Sequence, residues 1–283
     1  MEQQDILSMT LPELQAAVQE LGEPKFRAKQ IFNWLHQKRV TDFSEMTTLS
    51  LPFRERLASD FCINRLKIAK RLASSVDDTV KYLYELPDGN YVETVCMQYH
   101  HGTSLCISTQ VGCRMGCRFC ASAIAGFVRN LTPAEMLLQI YETERAQNCK
   151  ISSLVLMGIG EPLDNFDNVL RFLQLLSDPN GYGMSLRHVT VSTCGVVPKI
   201  LELAEQRLGL TLSVSLHCPN DAGRSAIMPI NRSYPIDVLL DACQTYFEKT
   251  GRRVTFEYAV MDQVNSAEQD AAALAERLKG LHA

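Results

Sequence analysis

The sequence predicts an α/β protein, a parallel sheet either open or curved toward a barrel, preceded by a small helical N-terminal domain. From about Ser104 onward, short β-rich runs alternate with amphipathic helical stretches, the pattern of right-handed βα units on a parallel sheet. Before about residue 90 the local signals are mostly helical. A 46% hydrophobic share of 283 residues can build a sizeable core and excludes a disordered chain. The expected division is residues 1–90, helices plus a hairpin, and residues 91–283, the α/β core.

Each element has a local reason. Thr10-Leu-Pro-Glu13 sets a threonine N-cap three residues before a glutamate, a capping box opening a helix to about Leu21, where Gly22 stops it. A second helix is expected over residues 26–37, with Phe26, Ile31, Trp34 and Leu35 on its apolar face. Residues 57–73 contain a third helical candidate. Residues 82–95 read as a hairpin turning at Asp88-Gly89-Asn90. Strands are then expected at 104–108, 153–157, 188–193, 211–216 and 254–260. The helix opened by Thr132-Pro-Ala-Glu135 combines a capping box with proline at its first position. In barrels of this kind the chemistry sits at the C-terminal ends of the strands.

Charge and cysteine content narrow the function. With 28 basic and 32 acidic side chains the net charge is −4, which excludes a globally basic nucleic-acid binder but not a locally basic one. No apolar run approaches the length of a membrane span, and residues 1–5 lack the features of a signal peptide. A cytoplasmic protein is expected. There the ten cysteines would be reduced, so metal or redox chemistry is favoured over a disulfide scaffold.

Cys113-Arg-Met-Gly-Cys117-Arg-Phe-Cys120 follows the 104–108 strand candidate. Three thiolates on so short a loop can converge on one metal centre. A structural zinc site wants four ligands, and a zinc knuckle would need a distant fourth. A four-iron cluster can be held by three thiolates, leaving one iron open. The next strand candidate ends in Gly158-Ile-Gly-Glu161-Pro162, where glycines allow close backbone approach and a carboxylate can pair with a cation. A plain strand-to-helix turn is the alternative for that string alone.

On these residues the sequence resembles the radical S-adenosylmethionine (radical SAM) superfamily, marked by CxxxCxxC with an aromatic before the last cysteine. Further strings narrow the likeness: Leu105-Cys-Ile-Ser-Thr-Gln-Val-Gly-Cys113, Gly160-Glu-Pro-Leu-Asp-Asn165, Val191-Ser-Thr-Cys-Gly-Val-Val-Pro198, Ser215-Leu-His-Cys-Pro-Asn220 and Met228-Pro-Ile-Asn231. Together with Lys25-Phe-Arg-Ala-Lys-Gln30 they resemble the RlmN/Cfr family of RNA adenine methyltransferases over nearly the whole chain.

The resemblance implies a partial (β/α) barrel of the radical SAM type, a [4Fe-4S] cluster on Cys113, Cys117 and Cys120, and S-adenosyl-L-methionine bound by Gly160, Glu161, Ser192, Ser215, Leu216 and His217. Glu93 matches the residue that removes the C2 proton, and Cys106 the thiol that frees the product by forming a transient disulfide. Asn165 and Asn231 match polar positions near substrate or cofactor. By residue type alone, Glu93 could be a solvated carboxylate, Cys106 a buried strand cysteine and His217 a satisfied core histidine. The other six cysteines have no metal spacing and no assigned role.

Residues 25–71 hold eleven Lys/Arg against four Asp/Glu, a local excess expected of a domain touching phosphates, although a solvated surface would look the same. The implied substrates are an adenosine in the peptidyl transferase region of 23S rRNA and one beside the anticodon in tRNA. The target base must leave its stack to reach a buried radical site. An electron donor such as flavodoxin or ferredoxin is implied, and a monomer is expected. The same motifs permit the C8-methylating Cfr type, and a non-enzymatic RNA-binding module with a structural metal is the third reading.

The family's methyl-carrying cysteine and a late SAM-binding asparagine lie beyond a sixth strand. This sequence reaches Ala283 after five strand candidates, and no cysteine follows Cys243. A truncated chain is therefore expected, an inactive form with respect to methyl transfer. The 283-residue polypeptide should bind cluster and SAM weakly and make no C2-methyladenosine. Mass spectrometry of nucleosides from RNA incubated with it tests this, and any methylated adenosine would refute it.

Overall fold

The Thr10 backbone N–H donates to the Glu13 carboxylate at 2.8 Å, closing the expected capping box. This is a computed structural model describing residues 3–282, and it divides into two units that are each described alone. The first unit comprises residues up to Leu105 together with Leu131–Ser152 and Asp167–Ser185. It begins with β1 (Gln4–Asp5), α1 (Leu11–Glu20), α2 (Phe26–Asn33), α3 (Leu51–Asp60) and β2 (Phe61–Cys62), with β1 and β2 paired in parallel. Leu14 and Val18 of α1, Ile31 and Phe32 of α2, and Leu57 of α3 are buried. Next come β3 (Lys67–Ala73), β4 (Val80–Glu85), β5 (Tyr91–Tyr99) and β6 (Gly102–Cys106).

Two expectations are corrected here. The third helix ends at Asp60, and Lys67–Ala73 is strand. Those residues have adequate helix propensity, but pairing with β4 along the strand overrides it, a tertiary effect that local sequence does not carry. The second helix has its regular part at Phe26–Asn33 and then widens into a single π-turn, Trp34–Lys38, that ends at Arg39 with φ of 56°. Its buried side holds Ile31 and Leu35, as expected, whereas Phe26 is 57% exposed and Trp34 only half-buried. Finally, the expected boundary after residue 90 falls in the turn joining β4 to β5. These strands pair from Val80↔Cys96 to Glu85↔Tyr91, the hairpin expected over residues 82–95.

After β6 the chain forms β7 (Gln110–Gly112) and β8 (Phe127–Asn130), then returns to the first unit as α4 (Pro133–Gln147). Its capping box is closed, with Thr132 N–H on the Glu135 carboxylate at 2.9 Å and Glu135 N–H on Thr132 Oγ1 at 3.2 Å. α4 is buried along most of its length and bonds back to the hairpin strands. Thr94 Oγ1 donates to Gln139 Oε1 at 2.8 Å, and Gln147 Nε2 to the Tyr82 hydroxyl at 2.8 Å. Near its end, the buried Glu144 carboxylate accepts Ile151 N–H at 2.6 Å and the Tyr182 hydroxyl at 2.8 Å, and forms an ion pair with Arg39.

The second unit contains β7 and β8, which pair antiparallel. Its main element is a run of parallel strands in the order β9 (Ile151–Leu156), β10 (Val189–Thr193), β11 (Thr211–Ser215) and β12 (Val254–Glu257). The helices that accompany these strands within the unit are α6 (Val197–Gln206), α7 (Asp221–Ile227), α8 (Ile236–Thr250) and α9 (Glu268–Leu278), whereas α5 (Phe166–Ser177) belongs, from Asp167 on, to the first unit. The strand order does not close on itself, so the expected α/β class and partial barrel are present. Leu154, Val191, Leu212 and Val214 face the core with no exposure. Among the described residues no helix is long and apolar enough to cross a membrane.

His36 of the first unit is fully buried, with Nδ1 3.0 Å from the Tyr141 hydroxyl. Burial, partly opposed by Asp178, pulls its pKa down from 6.5 to about 4. Below about pH 6.5 the unfolded chain takes up a proton that the folded chain refuses. Stability should therefore fall as the pH drops from 6.5 towards 4, by up to ~3 kcal/mol from this one residue. Denaturant melts at pH 7 and pH 5 measure the loss, and His36→Gln should flatten it.

Candidate active site

The cysteine loop is held open at both ends by backbone geometry. It spans the interval between β7 and β8, and Cys113 N–H donates to the Gly126 carbonyl at 3.1 Å. At Gly112, φ is +72°, and any Cβ would sit 1.7 Å from that carbonyl oxygen, so only glycine fits. Within the loop, Arg118 N–H donates to the Ile227 carbonyl at 2.9 Å, tying it to the end of α7. The sequence did not mark β7 and β8 as a strand pair.

Cys113, Cys117 and Cys120 line one cavity of about 310 Å³ together with Met115, Phe119 and the ends of the parallel strands. Burial raises the pKa of Cys113 and pushes Cys117 up to about 11, and the neighbouring Cys120 thiol raises both further. Such thiols stay protonated until a cation repays their ionisation, which is the expected behaviour of metal ligands. Among the described residues no trio of His, Cys, Asp and Glu is gathered as a single metal ion requires. Three half-buried thiols around a shared space suit a polynuclear cluster, which offers each thiolate its own iron. No disulfide joins any of the ten cysteines, all of which lie among the described residues.

The opposite wall comes from strand ends. After β6, residues 107–110 run beside the end of β9: Ile107 N–H bonds Val155 O at 3.0 Å, and Gln110 N–H bonds Ile159 O at 3.2 Å. Gly160 (φ +107°) packs so closely on Gln110 that a Cβ would lie 2.6 Å from the Gln110 side chain and 2.8 Å from its backbone nitrogen. Gln110 in turn accepts Glu161 N–H at 2.8 Å and donates to Asp164 at 2.7 Å. The Glu161 carboxylate, 3% exposed, accepts Leu163 N–H at 3.0 Å and Cys194 N–H at 2.7 Å, yet burial still raises its pKa. A cationic partner in the cavity would offset that cost.

His217 stands after β11 with φ of 58°, an unusual conformation for a residue with a side chain. Its Nδ1 accepts Ala259 N–H at 3.0 Å, its ring meets Phe119 edge-on at 4.9 Å, and Asn265 Nδ2 donates to its carbonyl at 2.6 Å. The bond at Nδ1 leaves the proton of the neutral ring on Nε2. Burial lowers its pKa, which favours that neutral ring.

The structure thus brings Gly160, Glu161, Ser192, Ser215, His217 and the three cysteines onto one cavity. Leu216 is not on its wall: the side chain is fully buried, and only its backbone takes part, accepting from Arg224 Nε at 3.1 Å. Cys106 stands just off the wall, its thiol bonded to the backbone of the lining residue Met157 and pushed up to about 11 by burial. Glu93 belongs to the first unit, on β5, where Lys81 Nζ lies 2.9 Å from its carboxylate. Asn165 and Asn231 are buried and bonded, Asn165 to the Thr109 carbonyl at 2.8 Å and Asn231 to Arg224 at 2.9 Å.

Two residues escaped the sequence reading. Glu257 lines the cavity at the end of β12 and accepts the Ser213 hydroxyl at 2.6 Å and the Ser192 hydroxyl at 3.3 Å. It occupies a strand end just as Glu161 does, and the same rule could have found it. Arg224 has no exposed surface and donates to the carbonyls of Cys194, Ser215 and Leu216. Nothing local in Asp221–Ile227 distinguishes it.

Residues 4–63 match the family model for the ribosomal RNA large subunit methyltransferase N-terminal domain, and residues 107–275 match that of the radical SAM superfamily. A relative from Lachnoclostridium phytofermentans, described as a probable dual-specificity RNA methyltransferase RlmN, is 51% identical, the match covering 98% of this chain and 78% of the relative. The chain belongs to the RlmN family. A second RlmN relative, from Alkaliphilus oremlandii, is 50% identical over 99% of this chain and 82% of its own length. The crystal structure of a radical SAM methyltransferase from Sphaerobacter thermophilus superposes with a TM-score of 0.94 at 39% identity, covering 99% of this chain and 83% of that one. RlmN proteins, as radical SAM enzymes, use a [4Fe-4S] cluster and S-adenosylmethionine.

The contact at Gly160 yields a direct test. Gly160→Ala should displace Gln110 and with it the Glu161 backbone, at a cost of about 1–3 kcal/mol. Urea unfolding of the variant beside the parent protein measures that cost.

Proposed function

We propose that the reaction this chain serves is radical SAM methylation at C2 of an adenosine, in the peptidyl transferase region of 23S rRNA and beside the anticodon in tRNA. The observation that carries the reading is the single cavity on which three thiols meet Glu161, Ser192, Ser215 and His217. RNA as substrate is supported by the description of the relatives and by the local basic excess of residues 25–71.

Cys113, Cys117 and Cys120 would hold the cluster, and Glu161, Ser192, Ser215 and His217 would bind SAM. When bound, these cofactors supply the electron and the 5′-deoxyadenosyl radical that ordinary side chains cannot. Glu161 supplies a buried acceptor for the SAM ammonium, already oriented by two backbone N–H groups. The Nε2 proton of His217 is fixed by the bond at its other nitrogen and gives the cavity a donor.

Glu93 would take the C2 proton, and Lys81 Nζ stands 2.9 Å from its carboxylate. Cys106 would release the product by thiolate attack on sulfur, forming a disulfide with the methyl-carrying cysteine. Its raised pKa means that it must first lose a proton, which keeps it quiet until then. Cys243 does not suit the methyl-carrying role: it is buried in α8, and burial pushes its thiol up to about 12. Reduction by a flavodoxin- or ferredoxin-type donor, in the cytoplasm and on a monomer, completes the reading.

Anaerobic reconstitution tests the assignment. The protein should take up iron and sulfide and, once reduced, cleave SAM to 5′-deoxyadenosine. Cys117→Ala should lose both properties, while Glu93→Gln should keep both. Zinc in place of iron would overturn the radical reading. The C2 assignment is tested on the protein expressed from its whole gene, where nucleoside mass spectrometry separates C2- from C8-methyladenosine.

A further inference from the structure

The outward side of α2 is unlike an ordinary solvated helix face. Phe26, Lys29, Gln30 and Asn33 follow one another at spacings of three and four residues, so they share a stripe, and Trp34 and Lys38 extend it into the π-turn. With Thr48 these residues line a surface pocket of about 340 Å³. Phe26 is 57% exposed, and its ring carries the Arg27 guanidinium 5.0 Å from the centroid. Trp34 is pinned: Nε1 donates to Thr48 Oγ1 at 2.8 Å, and Lys38 Nζ stands 3.3 Å from its ring centroid. The two aromatic side chains expected in the core by periodicity thus line this surface pocket, bordered by cations.

We infer that this pocket is a subsite for one unpaired nucleobase of an RNA substrate. The base would stack against the Phe26 and Trp34 rings, with the flanking phosphates on Lys29 and Lys38. The inference rests on the reading of RNA as substrate and adds where the first unit grips it. Aromatic faces with cations at their rims are how single-stranded RNA is held, since every base has a face to stack and every linkage carries a negative charge. An apolar peptide would fill the pocket but leave both lysine ammonium groups unanswered. A paired helix fits poorly because its bases are already stacked on each other. Gln30 and Asn33 on the same stripe offer amide groups to a base edge.

Trp34 is the only tryptophan in the chain, so intrinsic emission reports this pocket directly. The experiment titrates the full chain with a fluorescein-labelled single-stranded 12-nucleotide RNA and with its duplex form, following tryptophan emission and polarisation together. The single strand should quench Trp34 saturably, with the midpoint given by polarisation, and the duplex should not. Phe26→Ala should weaken single-strand binding about tenfold, in the lower range of what one base on one ring contributes. Phe26→Tyr should restore it. Because Phe26 is exposed, circular dichroism of the alanine variant should match the parent. If the single strand binds while Trp34 emission is unchanged, or if Phe26→Ala binds like the parent, the subsite is refuted and the RNA reading stands. Equal quenching by the duplex also refutes it. If no RNA raises the polarisation, both the subsite and the RNA reading fall, while SAM cleavage remains a separate test of the radical chemistry.

Discussion

A buried guanidinium organises the second unit. Arg224 lies wholly out of water, a costly place for a charge unless every N–H finds an acceptor. Its acceptors are backbone carbonyls at the ends of β10 and β11, those of Cys194, Ser215 and Leu216, with Asn231 Oδ1 as a fourth at 2.9 Å. Satisfying one cation therefore fixes where two strands stop and turn. Ser192, Ser215 and His217 sit on the strands or turns so fixed, and their positions on the cavity are inherited from this single requirement. The charge is also felt by the Cys117 thiol, where it opposes the rise caused by burial. A positive group behind the cavity favours the thiolate state that a cluster requires.

The cavity carries carboxylates on two of its strand ends, Glu161 after β9 and Glu257 on β12. They are treated differently. Glu161 is locked by backbone N–H groups and buried, whereas Glu257 is met by the hydroxyls of Ser192 and Ser213, which can turn to other acceptors. One end of the site is thus rigid and the other adjustable, an arrangement suited to holding one part of a ligand tightly while another part rearranges.

Much of this was legible from local chemistry. Capping boxes at Thr10 and Thr132 need only residues three apart, and both closed as read. The parallel strands were visible because buried β-strands write apolar runs between helices. The failures share a cause. Lys67–Ala73 has no strand signature of its own and becomes one only by pairing with β4. Phe26 and Trp34 were assigned inward because periodicity identifies a face but not its neighbour, and they point outward. The short strands β7 and β8 are too brief to show alternation. In the site, motif residues were found because their spacing is unusual, while Arg224 and Glu257 acquire meaning only from what the fold puts beside them. Leu216 shows the converse: a motif position can contribute its backbone alone.

β3 lies at the edge of its sheet with all seven residues exposed, and Lys67, Lys70 and Arg71 stand along it. A free edge invites a second strand, and a row of like charges deters one. That deterrent is electrostatic, and its reach contracts to about 10 Å at 0.1 M salt and about 3 Å at 1 M. The protection built into this strand is therefore a property of the solution as much as of the chain. Concentrated salt, so often chosen to keep a nucleic-acid-associated protein clean during purification, would strip away the barrier between one molecule's edge and the next.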